Sequence, residues 1–357
     1  MTTFRNQIRR LSKGINHINP NIKSKIQKND KHLDQEALEA GLKTANRQAI
    51  SHAITLVEST IQEDQDLIAK IIQSSQVNKE AFVISVTGSP GVGKSTFINA
   101  LAQHIAKDDM KVGILATDPS SEISKGSILG DKTRMSDLSE YDNIYIRPSA
   151  SQNQLGGINN TTVKILDIFN IANYDYLIIE TVGVGQSEFS SYHLSDLFLL
   201  LLAPGGGDEL QGIKRGIVEM ADFICINKYD SSFKESAEIT LKQYANSGRI
   251  INNFRKDWDT KYALISSERN YGISELWSEI QTFESNRKES GHYSDDKYLN
   301  RKQLLRQHAD HIILDLIKSK YDIPNIIDQT LISNSEDTKS FANLLAQLKQ
   351  AIEEKLI

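Results

Sequence analysis

A glycine-rich run between Gly88 and Thr96 contains the residue types that bind a polyphosphate. It reads Gly-Ser-Pro-Gly-Val-Gly-Lys-Ser-Thr, the G-x-x-x-x-G-K-S pattern of a P-loop. Glycines let backbone N–H groups converge on phosphate oxygens, and the following helix directs its N-terminal dipole towards them. We expect Lys94 to contact the β- and γ-phosphates and the Ser95 hydroxyl to bind Mg²⁺. The predicted phosphate-site residues are Gly88, Gly91, Val92, Gly93, Lys94, Ser95 and Thr96.

Acidic residues near the ends of predicted strands are candidates for a magnesium site. Asp118 follows one apolar run, Asp131 lies in the loop beyond it, and Glu180 is near the end of a later run. Because Mg²⁺ prefers oxygen ligands and keeps several waters, two or three carboxylates with Ser95 and phosphate oxygens suffice. We predict these three acidic residues as metal-side groups, with Glu180 of the Walker-B type. A turn cap before Pro119 is an alternative role for Asp118.

A short glycine-containing turn follows Glu180. Gly183 and Gly185 lie in the sequence Glu-Thr-Val-Gly-Val-Gly-Gln that begins at Glu180. A backbone N–H in such a turn can contact a γ-phosphate and move when that phosphate leaves. We therefore add Gly183 to the predicted nucleotide contacts.

The sequence Asn227-Lys228-Tyr229-Asp230 ends a later apolar run and has the N-K-x-D pattern. Guanine presents N1–H and an exocyclic N2 amino group side by side, so one carboxylate, Asp230, can accept both hydrogen bonds. Adenine lacks that amino group and would leave a buried Asp230 without a partner, which a polar site rejects. Asn227 would hold the loop, the Lys228 stem would lie along the base, and Ser266 with Ser267 would support the base loop. The predicted nucleotide is GTP or GDP.

Short apolar runs alternate with helical stretches between residues 81 and 284. The runs that read as strands are 82–87, 112–117, 144–147, 176–181, 197–203, 223–227 and 262–266. Near-continuous apolar strands separated by helices are typical of a parallel sheet covered on both faces. We predict an α/β fold with a parallel-sheet P-loop GTPase core and helical extensions at both ends.

Composition divides the chain into four predicted parts. These are a basic, flexible arm (1–32), a helical segment (33–78), the GTPase core (79–290) and a C-terminal helical arm (291–357). The first 29 residues contain seven basic and no acidic side chains, which is typical of a transit peptide as well as of a loose arm. Helices predicted at 297–320 and 336–355 have apolar faces that need a partner surface.

Overall charge and cysteine content exclude several classes of function. The 357 residues include 46 acidic and 41 basic side chains, a net charge of −5 that disfavours nucleic-acid and anionic-membrane partners. The single cysteine, Cys225, cannot form an internal disulfide or a multi-thiolate metal site. The longest purely apolar run, 197–203, is far shorter than the ~20 residues that span a bilayer. We expect a cytoplasmic protein without a nucleic-acid or membrane partner.

These motifs resemble those of the methylmalonyl-CoA mutase-associated GTPases (the MeaB group), an adenosylcobalamin-chaperone branch of the metallochaperone-type P-loop GTPases. The resemblance covers roughly residues 45–320. The matching stretches are 53–59, the P-loop, 118–121, 126–135, 146–149 with 155–157, 180–188 (Glu-Thr-Val-Gly-Val-Gly-Gln-Ser-Glu) and 207–214 (Gly-Asp-Glu-Leu-Gln-Gly-Ile-Lys).

The resemblance implies a GTPase that gates adenosylcobalamin delivery to methylmalonyl-CoA mutase, or a related acyl-CoA mutase, and protects that enzyme. It implies three switch segments, 126–135, 183–188 and 208–214, the last communicating with the mutase. It also implies that Asp118, Asp131 and Glu180 lie on the magnesium side. A homodimer whose C-terminal helices form an arm is the implied assembly. From the local sequence alone, 208–214 reads equally well as a solvated helix N-terminus.

Catalysis by such a site consists of positioning and charge neutralisation. Lys94, Glu180 and Mg²⁺ form the predicted centre, while Arg134 and Lys214, with Lys132, are available to counter transition-state charge. Two other functions are a kinase of a transport-associated protein and a nickel-delivery GTPase. The sequence has no H-R-D or D-F-G motif for the first and no Cys/His metal motif for the second.

Overall fold

Seven strands form one all-parallel sheet in the part of the chain that the structure, a computed structural model, describes: residues 35–118, 138, 140–150, 160–181, 186–205, 215–248, 254–255, 257–320 and 349–350. The strands are β1 (Phe82–Thr87), β2 (Val112–Asp118), β3 (Ile144–Ala150), β4 (Tyr176–Glu180), β5 (Leu197–Leu202), β6 (Phe223–Ile226) and β7 (Lys261–Leu264). Their order across the sheet is β3-β2-β4-β1-β5-β6-β7, and every neighbouring pair is parallel. The predicted α/β fold class is confirmed.

The described helices occur before, between and after the strands. They are α1 (Gln35–Lys43), α2 (Arg47–Glu58), α3 (Gln62–Ser74), α4 (Lys94–Lys107), α5 (Asn160–Ile171), α6 (Gln186–Leu194), α7 (Arg215–Met220), α8 (Lys234–Gly248), α9 (Ile273–Ser290) and α10 (His292–Lys320). Among the described residues, no helix has both the length and the apolar character needed to cross a membrane.

Strand β5 shows why helices cover both faces of the sheet. Its six residues are all buried, although successive side chains of a strand point to opposite faces. Leu197, Leu199 and Leu201 pack in a core with residues of α4 and α9. Phe198, Leu200 and Leu202 pack in a second core with residues of α6, α7 and α8. A continuous apolar strand thus stabilises two helical layers, and Leu→Ala at such sites typically costs about 2–5 kcal/mol.

Residues 35–80, which contain helices α1 to α3, form one compact unit with residues 164–173, and the other described residues form a second. Within the first unit, the Asn46 side chain accepts hydrogen bonds from the N–H groups of Gln48 and Ala49 at the start of α2. At the other end of α2, Gln65 Nε2 donates to the carbonyls of Leu56, Val57 and Ser59, at 3.2, 3.0 and 2.7 Å. These polar contacts satisfy backbone groups that helix ends leave open.

The sheet fixes the location of the predicted motifs because the carboxyl ends of parallel strands share one edge. The P-loop follows β1, Glu180 is the last residue of β4, and Asn227 directly follows β6. All three therefore lie at this edge. Strand β4 ends at Glu180, one residue earlier than predicted. Strand β7 ends at Leu264, so Ser266 belongs to the following loop rather than to the strand.

The C-terminal region differs from its prediction in length. The helix predicted at 297–320 begins earlier, at His292, and α10 is 29 residues long. An aromatic contact explains part of this extension, because Tyr293 in its first turn stacks on Phe82 at 6.2 Å between ring centroids. The helix predicted at 336–355 lies outside the described residues except for 349–350. The division of the chain into four parts stays a prediction.

Candidate nucleotide site

Two glycines of the P-loop occupy positions that no other residue fits. Gly88 has φ 150°, and a Cβ there would lie 2.2 Å from the Leu201 carbonyl oxygen of strand β5. Gly93 has φ 97°, and a Cβ would lie 2.7 Å from Asn227 Nδ2. Both need the left-handed backbone and the space that only glycine provides. The loop therefore passes directly against two neighbouring elements of the same edge.

Lys94 lies in the first turn of α4 with its ammonium turned back onto the P-loop. Its Nζ donates to the carbonyl oxygens of Gly88 at 2.8 Å and Ser89 at 3.3 Å. The side chain is buried, and this desolvation lowers the pKa of Lys94, while the nearby Glu180 carboxylate opposes the shift. Backbone carbonyls hold the ammonium without neutralising it, so an anionic phosphate is a stronger partner for it.

Ser95 and Glu180 meet where α4 begins and β4 ends. The Ser95 hydroxyl donates to Glu180 Oε1 at 3.1 Å, and Glu180 is buried. A hydroxyl beside a carboxylate offers the hard oxygen donors that Mg²⁺ prefers, and Mg²⁺ needs few protein ligands. The donor set therefore fits magnesium. Among the described residues, no group of three or more His, Cys, Asp and Glu side chains is arranged so that it could hold a metal ion by itself.

Of the other two predicted metal-side residues, Asp118 lies in the part of the chain that the structure describes, and Asp131 does not. Asp118 is the last residue of β2, and β2 is paired directly with β4, whose last residue is Glu180. Asp131 lies outside the described residues, as do Gly183, Arg134 and Lys214. Their predicted roles stay predictions.

Asn227 joins the P-loop to the loop after β7. Its Nδ2 donates to the Val92 carbonyl oxygen at 2.9 Å. Its Oδ1 accepts hydrogen bonds from the Ser267 N–H at 3.0 Å and the Ser267 hydroxyl at 2.8 Å. Asn227 and Ser267 are both buried, so these bonds are protected from competing water. The side chain therefore fixes two loops at once, the second of them through Ser267 of the predicted base loop.

Lys228 and Asp230 extend from the same turn towards solvent. Lys228 has φ 60°, and its Nζ donates to the Gly91 carbonyl oxygen at 2.9 Å, which lays its stem across the P-loop. Asp230 Oδ2 accepts a hydrogen bond of 2.5 Å from the Ser266 hydroxyl. Asp230 is half-buried rather than buried as predicted, because it lies at the open rim of the sheet edge. Thr96 is exposed in the first turn of α4.

Two tyrosines near Asp230 were not predicted from the motifs. Tyr229 occupies the variable position of N-K-x-D, and Tyr271 belongs to the loop after β7. Their ring centroids are 5.5 Å apart. No spacing rule connects two aromatic residues 42 positions apart, so the sequence carried no signal for this contact.

The parallel sheet, the P-loop at its carboxyl edge and the N-K-x-D turn beside it define a P-loop GTPase. The model of the family described as methylmalonyl-CoA mutase-associated GTPase MeaB matches residues 50–322. The chain belongs to this family, as the resemblance indicated, and its nucleotide is a guanine nucleotide.

Individual relatives support the assignment over most of the chain. The mouse methylmalonic aciduria type A homolog, a mitochondrial protein, is 39% identical over 267 residues, which are 72% of this chain and 64% of the mouse protein. GTPase ArgK of Escherichia coli is 34% identical over 313 residues, 87% of this chain and 95% of that protein. A crystal structure of an LAO/AO transport system kinase superposes with a TM-score of 0.71 at 27% identity, covering 89% of this chain and 97% of that one.

Proposed function

We propose that this GTPase gates adenosylcobalamin delivery to methylmalonyl-CoA mutase, or to a related acyl-CoA mutase, and protects that enzyme. The observation that carries this proposal is the match of residues 50–322 to a family of mutase-associated GTPases. The mouse relative, named for methylmalonic aciduria, supports the same client. In this proposal GTP hydrolysis supplies the switch, and the mutase reads its state.

Guanine recognition is assigned to Asp230 in this proposal. Its carboxylate would accept from guanine N1–H and N2–H, while the Ser266 hydroxyl holds Oδ2 at 2.5 Å. A carboxylate oxygen has two lone pairs, so Oδ2 can accept from Ser266 and from a base together. The Lys228 stem, anchored at the Gly91 carbonyl, would cover one face of the base. Adenine offers no pair of adjacent donors, which favours GTP over ATP.

Hydrolysis is assigned to groups at the carboxyl edge near β1 and β4. Lys94 would leave the Gly88 and Ser89 carbonyls for the β- and γ-phosphates, and the P-loop N–H groups would hold the phosphate oxygens. Ser95 and Glu180, with Asp118 and Asp131, would hold Mg²⁺, which neutralises charge on the phosphates when bound. Gly183, Arg134 and Lys214 are proposed to act near the γ-phosphate, and water attacks it in line.

A contact between α6 and α7 supports coupling of the second and third switch segments. Helix α6 begins at Gln186, inside the second switch segment, and α7 begins at Arg215, directly after the third. The Phe189 ring of α6 lies against Gly216 of α7, where an added Cβ would be 3.1 Å from Phe189 Cζ. A close contact of this kind lets a movement of one helix displace the other. Phe189 is also 43% exposed, which leaves part of this ring available to a partner.

The test of the proposed coupling is Lys214→Ala. We expect nearly unchanged intrinsic GTP hydrolysis but loss of most of the acceleration caused by purified mutase, because only the mutase-bound arrangement uses Lys214. Turnover is measured with and without mutase for wild type, for Lys214→Ala and for the control Lys242→Ala, an exposed lysine of α8. Equal stimulation of all three proteins would contradict the coupling, and no stimulation of the wild type would contradict the client.

A homodimer joined through the C-terminal arm is part of the same proposal. The exposed apolar residues Tyr298, Leu299, Leu305 and Ile313 lie on α10. A second copy of this helix could bury them in a two-fold contact. The charged substitution Leu305→Glu, on the exposed face of α10, should shift the protein towards monomer. Deleting the residues after Ile323, which belong to the same predicted arm but not to α10, should have the same effect if they contribute to the contact. Light scattering that gives one mass for all three proteins would contradict the arm.

The alternatives have weaker support. One related crystal structure is named as a kinase, but this sequence has no H-R-D or D-F-G kinase motif. Nickel delivery lacks a Cys/His motif, since Cys225 is the single cysteine and is buried. We also keep a cytoplasmic location as a proposal, based on that low cysteine content.

A further inference from the structure

We propose that Tyr229 and Tyr271, the tyrosine pair, position the Asp230 carboxylate and so set the preference for guanine over hypoxanthine. The proposal deepens the guanine site and rests on the proposed function of Asp230. Both tyrosines are positioning residues, because the contacts that they make run to the loop, to α8 and to each other. The N-K-x-D signature specifies neither residue, since Tyr229 fills its variable position and Tyr271 lies outside it.

Tyr229 fixes the backbone on one side of Asp230. Its N–H donates to the Ile265 carbonyl oxygen at 2.9 Å, which connects the turn after β6 to the end of β7. Its hydroxyl donates to Glu238 Oε1 of α8 at 2.9 Å, and Lys234 Nζ lies 5.5 Å from the ring centroid. Helix α8 therefore holds the Tyr229 ring in one orientation, and that ring offers Tyr271 a fixed surface.

Tyr271 fixes the residue on the other side of Asp230. It exchanges two backbone hydrogen bonds with Ser266, of 3.0 and 3.1 Å, in an isolated antiparallel bridge. Gly272, at φ 72°, directly follows this bridge, and a Cβ there would lie only 2.6 Å from the Leu264 carbonyl oxygen. Only glycine fits so close to the end of β7. The Ser266 hydroxyl then donates to Asp230. The position of Tyr271 thus determines where this hydroxyl lies.

These contacts form a closed chain around the carboxylate. Asp230 is bonded to Ser266, Ser266 is paired with Tyr271, and the Tyr271 ring packs on Tyr229 at 5.5 Å and 42°. Tyr229 is covalently next to Asp230, which completes the chain. Tyr271 is 56% exposed, so burial in a core does not hold its ring, and its described ring contact is with Tyr229. Removing either ring abolishes the contact between Tyr271 and Tyr229, which is the one link in this series that side-chain packing makes.

Guanine and hypoxanthine differ only in the N2 amino group. Comparing the two bases therefore separates the hydrogen bond from N2 to Asp230 from the one made by N1–H. Both bases donate N1–H, while only guanine donates a second bond to the same carboxylate. Hydrogen bonds weaken steeply when they are misaligned, and a tilted carboxylate cannot align with two parallel donors. Loss of positioning should therefore weaken the guanine nucleotide more than the hypoxanthine nucleotide.

The experiment measures dissociation constants for GDP and IDP by calorimetry with the full chain. We expect Tyr271→Ala and Tyr229→Ala to lower the GDP preference by about tenfold, mainly through weaker GDP binding, as loss of one hydrogen bond to a charged group predicts. Tyr271→Phe keeps the ring and should keep the preference. Ile61→Ala removes an exposed apolar side chain directly before α3 and should change neither constant.

Other results would contradict either the role of the tyrosine pair or the guanine site itself. An unchanged GDP preference in both alanine variants, or an equal loss of GDP and IDP binding, overturns the positioning role. Asp230→Asn, measured beside them, tests the guanine site itself. If Asp230→Asn leaves GDP affinity unchanged, the guanine site is wrong, whereas a collapse there with no effect of Tyr271→Ala overturns the tyrosine pair alone. Thermal unfolding of every variant identifies any loss caused by misfolding.

Discussion

The two edges of the same sheet hold charged side chains in different ways. At the carboxyl edge, Lys94 and Lys228 donate to carbonyl oxygens of the P-loop, at 2.8 to 3.3 Å. At the amino edge, Arg255 and Arg287 are buried and paired with carboxylates. A carbonyl oxygen is a neutral partner that an anionic ligand can replace, whereas a buried carboxylate neutralises its partner permanently.

The amino-edge groups, which we call the arginine cluster, connect the sheet to α9 and α10. Arg255 Nε lies 2.9 Å from Asp222 Oδ1, directly before β6, and the same guanidinium is ion-paired with Asp296 of α10. Arg287 of α9 is bonded to Asp296 at 2.5 Å and to Asp257 at 2.7 Å. Asp296 therefore joins two arginines from different elements.

Among these described side chains, only the charged groups of the carboxyl edge remain available to a ligand. Both edges contain strand ends, helix ends and charged groups, so a residue inventory alone would not separate them. The arginine cluster has fixed internal partners and stabilises the positions of α9 and α10. At the carboxyl edge, Lys94 and Lys228 are held by carbonyl oxygens that an anionic ligand can replace. The Ser95 hydroxyl and the Glu180 and Asp230 carboxylates lie at the same edge. We infer that substitutions at the two edges will separate turnover from stability.

Lys94→Ala should give the largest effect, on turnover. Losing the ammonium removes the charge that would stabilise the transferring phosphate, so we expect GTP hydrolysis to fall by about a thousandfold or more. The free energy of unfolding should fall by only about 1–3 kcal/mol, since two hydrogen bonds to carbonyls are lost. Lys107→Ala, an exposed lysine of the same helix, is the control. A steady-state assay that finds normal turnover in Lys94→Ala would contradict the site.

Arg255→Ala should give the largest effect on stability. It leaves Asp222 buried without its ion-pair partner, which costs about 3–5 kcal/mol of the free energy of unfolding. Guanine-nucleotide affinity of the folded fraction should not change. Urea unfolding of this variant is compared with Arg306→Ala, an exposed arginine of α10.

If Arg255→Ala does not fold, Asp296→Asn gives a milder test of the arginine cluster. The Asp296 side chain is 34% exposed, so its loss should cost less than that of Arg255. Stability equal to wild type in Asp296→Asn, or altered nucleotide affinity with unaltered stability in either variant, would remove the contrast between the edges.

Glu180→Gln should give the smallest effect of the three. The amide oxygen can still accept from the Ser95 hydroxyl, so nucleotide binding and folding should be kept. Loss of the charge should weaken magnesium affinity about 10- to 100-fold and therefore slow turnover at limiting magnesium. Turnover is titrated against magnesium for this variant and for Glu279→Gln, an exposed glutamate of α9. Superimposable magnesium curves would remove Glu180 from the metal site.

Much of the fold was predictable because its determinants are local. Apolar runs such as 197–203 bury both faces of a strand, and the helical stretches between them demand a parallel sheet. The P-loop was predictable because its glycines, Lys94 and Ser95 lie within nine consecutive residues. The early start of α10, by contrast, depends on contacts of Tyr293 with Phe82, which no local pattern indicates.

The sequence by itself determined the sheet, the phosphate loop and the type of base, because each is encoded in a short run of residue types with its own backbone preference. The tertiary structure decided which side chains meet. Asn227 contacts Val92 across 135 positions, Tyr271 packs on Tyr229, and Arg255 shares Asp296 with Arg287. Such contacts depend on strand order and register, which set distances between residues that are far apart in the chain. Local propensity carries no information on those distances.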